Sequence, residues 1–292
     1  MIIAINGSRR QSGHLDKLRI LLERLSAMTG GRLVVKTKFY DYVREALPGA
    51  WAGGQVTAIA DGDDFNADMA VSIGGDGTFL RTVQWVGRRR IPILGINTGH
   101  LGYLADLSLD EALAEPTASD FKVEDRTLLQ VSSDMLPPDF WPYALNEVAI
   151  LKQDTASMIT VETRIGGAPL ASYLADGLII STPTGSTGYN LSVGGPIVDP
   201  SAPVTVIAPV APHSLTLRPL VVGADACIDA VTSSRSDFFL LSLDGRSVCL
   251  PNGAAIKVTR APFTVPVIQR AKHHFASTLR EKLLWGKNGS NR

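Results

Sequence analysis

The chain has 292 residues, which is enough for one large or two medium-sized domains. Hydrophobic residues make up 45% of it and charged residues 19%, so the composition excludes a disordered chain. The 28 basic residues balance the 28 acidic residues, and no apolar run approaches the ~18–20 residues that cross a bilayer. We therefore expect neither nucleic acid nor a membrane as a partner.

Strand and helix signals alternate over the first third of the chain. Residues 2–6, 69–73 and 92–96 are predicted strands. Apolar residues at helical spacing predict a helix over 15–28 that ends at Gly30, and a second helix over 79–87. Ser108 and Glu111 have the spacing of a capping box and open a short third helix. Residues 1–120 are therefore predicted to form an α/β domain with a Rossmann-like parallel sheet.

After Phe121 the pattern changes to short apolar runs separated by Gly, Pro, Asp and Ser. The predicted strands are 128–131, 148–150, 159–163, 204–207, 238–243, 256–258 and 265–268. This pattern predicts an all-β, sandwich-like domain over 121–270. A C-terminal helix within 271–292 is expected to pack back on the first domain, because its leucines need apolar cover.

The segment Gly74-Gly75-Asp76-Gly77-Thr78 links a predicted strand to a predicted helix. Glycines let a phosphate approach the backbone, and a helix N-terminus attracts the anion. A carboxylate repels phosphate, so Asp76 fits this turn if it faces an attacking hydroxyl or a metal ion. The alternative is a tight turn in which Asp76 is the N-cap of the helix.

Three further segments carry polar groups suited to a ligand. Residues 176–192 place several hydroxyls and glycines in one bend with Tyr189 as a stacking surface, although an ordinary loop is the alternative. Asn146 and Glu147 suit ribose hydroxyls or an amide-bearing ring, although a solvated strand end explains them equally. Residues 97–104 form a glycine-rich bend after a strand, where His100 is either a general base or simply solvated.

Residues 74–78, 97–102, 146–147, 176–192 and 194–196, in this order, resemble the NAD kinase family. The glycine turn alone also resembles diacylglycerol kinases, sphingosine kinases and, more loosely, phosphofructokinases, whereas 176–192 is particular to NAD kinases. The resemblance implies transfer of the γ-phosphoryl group of ATP to the 2′-hydroxyl of the adenosine ribose of NAD, giving NADP and ADP. It also implies Mg²⁺ carried with ATP, and a homodimer or homotetramer.

The resemblance assigns roles to individual residues. Asp76 would meet the 2′-hydroxyl as the catalytic residue, and no side chain is expected to be a dedicated metal ligand. The residues implied at the ATP phosphates are Gly74, Gly75, Gly77 and Thr78. The residues implied at NAD are Asp76, Gly77, Arg81, Asn146, Glu147, Asp176, Thr187, Gly188, Tyr189, Asn190, Leu191, Ser192 and Ala211.

The sequence departs from the family pattern at three positions. Gly188 stands where alanine is usual, so Gly188→Ala is expected to be tolerated. Leu174 stands where Arg or Lys is common, and Arg246 where Gln or Asn is common, which leaves both contacts open. Two rival functions are a lipid kinase, disfavoured by the polar segment 176–192, and a non-catalytic dinucleotide sensor, disfavoured by Asp76.

The two cysteines, Cys227 and Cys249, form neither a metal-binding pattern nor a disulfide framework. The apolar start of the sequence is too short for a secretion signal and has no leading basic segment. A cytoplasmic location is therefore expected.

Overall fold

The computed structural model describes residues 1–51, 56–62, 64–99, 102–114, 117–154, 157–272 and 274–286. The chain forms two compact units. Unit 1 consists of Met1–Asp125 and Val265–Arg292, and unit 2 consists of Arg126–Thr264. The domain bounds expected from the sequence, and the packing of a C-terminal helix on the first domain, remain predictions.

Unit 1 alternates strands with helices along the chain. Its first elements are β1 (Ile3–Gly7), α1 (Leu15–Thr29), β2 (Leu33–Val35), α2 (Thr37–Ala46), β3 (Val56–Ile59), β4 (Met69–Ile73), α3 (Asp76–Val86), β5 (Ile93–Asn97), β6 (Leu107–Ser108) and α4 (Leu109–Leu113). Gly30 ends α1 in a left-handed conformation, as predicted, and both hydrogen bonds of the capping box between Ser108 and Glu111 are present.

The parallel sheet of unit 1 contains the strands β5-β4-β1-β2-β3 in this order, and β5 also pairs in parallel with β6 and with Val267 and Ile268. The chain runs from β1 to β2 and β3 on one side and returns to β4 on the other, so the order reverses between β1 and β4. In open parallel sheets, ligands bind beyond the carboxyl ends of the strands at such a reversal. Gly7 and Ile73 are partners at those ends, and they mark the ligand-binding edge of unit 1.

The core of unit 1 joins this sheet to its helices. Leu18 and Leu22 of α1 are fully buried with Ile3 and Ile5 of β1 and with Phe39 of α2. Apolar residues at this helical spacing give α1 one buried face, which its packing against the sheet removes from water.

Unit 2 is built almost entirely from strands. Its elements are β7 (Phe121–Ser132, beginning in unit 1), β8 (Tyr143–Ala144), β9 (Glu147–Lys152), β10 (Ile159–Ile165), β11 (Ala168–Ala175), β12 (Gly177–Ser181), α5 (Tyr189–Ser192), β13 (Val204–Val210), β14 (Leu220–Gly223), β15 (Ile228–Ser233), β16 (Phe238–Leu243), β17 (Arg246–Pro251) and β18 (Ala255–Arg270, ending in unit 1). One helix follows, α6 (Phe275–Lys282), in unit 1; of the predicted C-terminal helix, residues 273 and 287–292 lie outside the described part.

Two layers of antiparallel strands enclose the core of unit 2. One has the order β14-β13-β12-β9-β16-β17, and the other contains β11-β10-β15 and the first part of β18. Val161 and Ile256 of the second layer are buried in one cluster with Ile150 and Phe239 of the first. Buried and more exposed residues alternate along β10 and β15, as expected where one face of a sheet covers a core. The predicted fold class, a parallel α/β domain followed by a β sandwich, is confirmed.

Among the described residues, no helix combines the length and the apolar composition needed to cross a membrane.

Candidate functional site

The turn between β4 and α3 is shaped by Gly74. Its φ of +150° is one that L side chains rarely adopt, and a Cβ there would lie 2.6 Å from Oγ1 of Thr78. Helix α3 begins at Asp76 with Gly75 as its N-cap, and no side chain of the described residues caps it. The interpretation of Asp76 as an N-cap is therefore wrong. The first N–H groups of α3 have no partner within the helix, and they form a seat for an anion at the ligand-binding edge.

The carboxylate of Asp76 is held by the backbone of a neighbouring loop. Its Oδ2 accepts a hydrogen bond from the N–H of Tyr103 at 2.8 Å, and its Oδ1 accepts from Leu104 at 3.0 Å and Ala105 at 3.2 Å. A Cβ on Gly102 would lie 2.0 Å from Oδ1, so the loop fits closely around the carboxylate. A carboxylate offers about four lone-pair positions, and these three donors leave one for a ligand.

Helix α6 holds the same loop from its other side. Lys282 donates a hydrogen bond to the carbonyl of Gly102 and lies 3.5 Å from Oδ1 of Asp106. Arg270 also pairs with Asp106, at 3.2 Å, and with Glu111 at 2.7 Å. Burial lowers the pKa of Lys282, and the charges of Asp106 and Asp76 oppose that shift. The loop around Asp76 is therefore fixed at both ends of its described part.

Basic side chains gather at the carboxyl ends of β1, β2 and β4. Arg81 of α3 donates to Oγ1 of Thr78 at 3.0 Å, and burial together with the charge of Arg9 lowers the pKa of Arg81. Burial lowers the pKa of Lys36; Asp61 opposes the shift, whereas Arg81 lowers this pKa further. Because burial and a neighbouring cation lower the pKa values of both Arg81 and Lys36, an anion bound there would stabilise their charged forms.

Arg9 and Lys36 were missed at the sequence level. Lys36 follows β2 directly, and Arg9 lies two residues after the end of β1, so both lie at the edge where ligands bind. That signal becomes usable only when the strand order is known. His100 and Leu101, in the predicted bend after β5, lie outside the described residues.

In unit 2, Asn146 and Glu147 stand at the start of β9 and meet the segment 182–192. The N–H of Tyr189 donates to the Glu147 carboxylate, and the N–H of Thr182 donates to the Asn146 carbonyl at 2.9 Å. A Cβ on Gly188 would lie 2.9 Å from Oε2 of Glu147. Burial, and next the negative charge of Asp244, raise the pKa of Glu147 to about 7. Among the described residues, neither Oδ1 of Asn146 nor Oε2 of Glu147 has a hydrogen-bond partner, although both are buried.

The segment 182–192 divides into structural and accessible residues. Asn190 is fully buried and donates from Nδ2 to the carbonyls of Ser186 and Pro196. Tyr189 is 38% exposed, which leaves its ring available for stacking. Thr187 and Leu191 are half-buried, and Ser192 is exposed.

Asp176 and Ala211 lie at the other end of the same sheet. Asp176 precedes β12 and pairs with Lys152 at the end of β9, at 2.7 Å. Its N–H donates to the carbonyl of Val210, the residue before Ala211. Ser181, five residues after Asp176, lies opposite Glu147 in the pairing of β12 with β9. At ~3.3 Å per residue, Asp176 and Glu147 are therefore about 16 Å apart along the strands. The structure therefore brings Asn146, Glu147 and residues 187–192 together, but not Asp176 and Ala211 with them.

Two positions depart from the family pattern in different ways. Leu174 on β11 is 39% exposed and offers no polar group. Arg246 points inward, and its Nη1 and Nη2 donate to the carbonyls of Trp141 and Tyr143 at 2.7 Å and 2.6 Å. The guanidinium of Arg246 thus supports the segment before Asn146.

Within the described part of the chain, no three His, Cys, Asp or Glu side chains form a cluster that could hold a metal ion. At the phosphate turn, Asp76 is the carboxylate that could face a metal ion arriving on a nucleotide.

Comparison with known proteins resolves the alternatives left by the glycine turn. Residues 32–119 match the N-terminal domain of ATP-NAD kinases, and residues 145–270 match the C-terminal domain. The chain belongs to the NAD kinase family. It is 44% identical over 280 residues to a protein of Bacteroides fragilis named NAD kinase, covering 95% of this chain and 94% of that protein. The family and the enzyme class expected from the sequence, a phosphotransferase, are confirmed.

Two solved structures share the fold of this family member. An NAD kinase from Archaeoglobus fulgidus in complex with ATP superposes with a TM-score of 0.69 at 28% identity, covering 93% of this chain and 95% of that one. Yeast NADH kinase complexed with NADH superposes with a TM-score of 0.85 at 24% identity, covering 100% of this chain and 89% of that one. The second likeness concerns the fold alone.

Proposed function

We propose that this protein is an NAD kinase, which transfers the γ-phosphoryl group of ATP to the 2′-hydroxyl of the adenosine ribose of NAD. The observation that carries the proposal is the Asp76 carboxylate, which three backbone N–H groups hold beside a glycine turn and a helix N-terminus. A turn that only bound phosphate would gain nothing from a carboxylate there. A hydroxyl nucleophile gives the fourth lone-pair position of Asp76 a partner.

The donor phosphates would bind at the ligand-binding edge of unit 1. Gly75 and Gly77 would receive them with backbone N–H groups, whereas the N–H groups of Gly74 and Thr78 already donate to the carbonyls of Ile96 and Gly75. Gly74 and Thr78 would therefore shape the phosphate turn. Arg81, which the resemblance places at NAD, would also neutralise part of the charge of the donor phosphates. Arg9 and Lys36 join this set because they share the same electrostatic cluster. Mg²⁺ would arrive bound to ATP, and it supplies charge neutralisation on the transferred phosphoryl group.

The acceptor would bind through unit 2. Two buried oxygens, on Asn146 and Glu147, have no partner within the described part of the chain and require hydrogen-bond donors, which the hydroxyl and amide groups of NAD would supply. Tyr189 would stack on a ring of NAD, while Thr187, Gly188, Leu191 and Ser192 would line the same place. Asn190 would act by holding the loop in shape.

The resemblance also places Asp176 and Ala211 at NAD, but both lie far from Glu147. This distance is relevant to the oligomeric state. Residues about 16 Å apart along β12 do not serve the same part of one ligand. We therefore assign them to a second part of NAD or to NAD held by another copy of this chain, in a homodimer or homotetramer.

The chemical step forms a bond between the ribose 2′-oxygen and the γ-phosphorus while the bond to the ADP oxygen breaks. The transition state of phosphoryl transfer is loose, so positioning and charge neutralisation carry most of the catalysis. Asp76 orients the hydroxyl and takes its proton as the new bond forms. Arg81, Lys36 and the N–H groups of α3 stabilise the charge on the phosphoryl oxygens.

The test is NADP formation by the purified protein with NAD, Mg²⁺ and ATP, followed with an NADP-specific dehydrogenase. Substituting other nucleotides or polyphosphate for ATP, and NADH for NAD, defines donor and acceptor. Binding of NAD without NADP formation would favour the dinucleotide sensor, and phosphorylation of diacylglycerol or sphingosine would favour the lipid kinase.

A cytoplasmic location, proposed from the two free cysteines, is checked by fractionation of cells.

A further inference from the structure

Asp244 and Gly245 form the two-residue turn between β16 and β17. Both have positive φ, +49° and +78°, which Asp-Gly adopts readily in a tight hairpin. The turn itself therefore requires no compensation from its surroundings, and the side chain of Asp244 is available for contacts outside the hairpin. Those contacts indicate what the turn does.

The side chain of Asp244 accepts hydrogen bonds from three consecutive backbone N–H groups. Its Oδ2 accepts from Leu145 at 2.7 Å, and its Oδ1 accepts from Asn146 at 2.8 Å and Glu147 at 3.2 Å. In return, the N–H of Asp244 donates to the carbonyl of Glu147 at 3.2 Å. Burial raises the pKa of Asp244, and the three N–H donors oppose that shift.

Arg246, two residues later, fixes the segment immediately before these residues. It donates to the carbonyls of Trp141 and Tyr143, and its guanidinium lies 5.7 Å from the ring of Phe140. Burial lowers the pKa of Arg246, and the charge of Asp244 opposes the shift. The same short turn thus holds the backbone on both sides of residue 144.

These contacts hold the two groups whose buried oxygens have no partner among the described residues, Oδ1 of Asn146 and Oε2 of Glu147. Preorganised acceptors bind a ligand more tightly because no rotamer or loop entropy is lost on binding. We propose that Asp244 and Arg246 are positioning residues, which set Asn146 and Glu147 in the orientation that binds the acceptor nucleotide. The inference rests on the proposed function, because it takes the ligand of Asn146 and Glu147 to be NAD.

The decisive variant is Asp244→Asn, since asparagine tolerates positive φ and keeps the volume of the side chain. Its amide group cannot accept from all three N–H groups. We expect the KM for NAD to rise about tenfold or more, with kcat and the KM for ATP within about threefold of the wild type. The matched control is Asp225→Asn, because Asp225 is 81% exposed and pairs with Arg260.

The second series is at Arg246. Arg246→Gln retains one amide donor for two carbonyls, and Arg246→Lys retains a charged donor of similar reach. We expect a raised KM for NAD with Gln and a substantial recovery with Lys. The matched control is Arg260→Gln, which removes an exposed ion pair. If Asp244→Asn fails to fold, this series decides the question.

A role in stability alone would lower the amount of active enzyme and leave the pH dependence of NAD binding in place. The charge of Asp244 contributes to the raised pKa of Glu147, after burial, and the backbone N–H of Tyr189 opposes that shift. The charged group that faces Asp244 is the guanidinium of Arg246. In Asp244→Asn, the inflection in the pH profile of the KM for NAD should therefore move to lower pH.

An unchanged KM for NAD and an unchanged profile, in a wild type that makes NADP, would overturn the inference. A wild type that makes no NADP would instead overturn the proposed function.

Discussion

Replacing the catalytic carboxylate by its amide tests the proposal most directly. In Asp76→Asn, the amide oxygen can keep the hydrogen bonds from Leu104 and Ala105, but the NH₂ group then faces the N–H of Tyr103, a donor against a donor 2.8 Å away. Losing that charged hydrogen bond costs about 1.5–3 kcal/mol of folding stability. Losing the proton acceptor costs ~10²–10⁴-fold in rate. We therefore expect kcat to fall by about 100-fold or more while NAD still binds.

The assay is NADP formation at saturating ATP and NAD, with NAD binding measured separately by calorimetry and stability by urea unfolding. Gly102→Ala is a companion variant, because its Cβ would displace Oδ1 of Asp76 without changing the carboxylate chemically. Asp110→Asn is the matched control for the charge, since Asp110 is exposed and pairs with Lys17, and Gly62→Ala is the control for the added methyl group. Turnover of Asp76→Asn within about threefold of the wild type would refute the assignment of Asp76.

Three further predictions address other groups. Lys36→Met should raise the KM for ATP by roughly tenfold and leave the KM for NAD unchanged, because Lys36 belongs to the cationic cluster of unit 1. A raised KM for NAD with an unchanged KM for ATP would show that the donor phosphates bind elsewhere. The family pattern predicts that Gly188→Ala is tolerated, but the structure places its Cβ 2.9 Å from Oε2 of Glu147, so the variant should fold and alter the KM for NAD more than the KM for ATP. Kinetics equal to those of the wild type would favour the family pattern and show that Glu147 moves without consequence. Below about pH 4.5, Glu147 is protonated in both the folded and the unfolded protein. Between about pH 4.5 and about pH 7, only the unfolded protein loses this proton. The contribution of Glu147 to the free energy of unfolding therefore falls as the pH rises through that range. Glu147→Gln should therefore be more stable than the wild type in urea unfolding at pH 8 by up to about 3 kcal/mol, with little difference at pH 4.

Local signals in the sequence predict the elements whose ends are encoded by neighbouring residues. Helix α1 ends at Gly30 because its N–H bonds back to the last turn in a left-handed conformation that glycine adopts without strain. The buried strand β4 and the capping box of α4 have equally local causes. By contrast, β2 has three residues, and α2 buries only Phe39 and Val43, so neither has a periodicity that a sequence reveals.

The long strand β18 shows a different limit. The sequence predicts two short strands, because Pro262 interrupts the apolar pattern, and proline is uncommon inside strands. The structure continues one strand through Pro262, because the pairing of β18 with β15 before it and with β5 after it decides the outcome. Tertiary pairing of this kind is absent from any local window.

The candidate site divides in the same way. Spacing identifies the glycine turn at Asp76, and the hydroxyl-rich run identifies the segment around Tyr189. Sequence spacing cannot identify Asp244, because Asp244 and its hydrogen-bond partner Asn146 are 98 positions apart in the chain. Arg9 and Lys36 are found only once the order of β1, β2 and β4 is known.

Unit 1 is built from both ends of the chain, and this has a consequence for folding during synthesis on the ribosome. N-terminal domains generally fold first as the chain emerges. Here β5 acquires its last parallel neighbour only from Val267 and Ile268, and the loop around Asp76 acquires Lys282 later still. Until those residues emerge, β6 covers Ile96 and Asn97 of β5, but the edge at Ile93 and Leu94 is open and can pair with another chain. All of unit 2 is therefore translated while unit 1 is unfinished, and the reacting carboxylate receives its final support among the last steps of maturation.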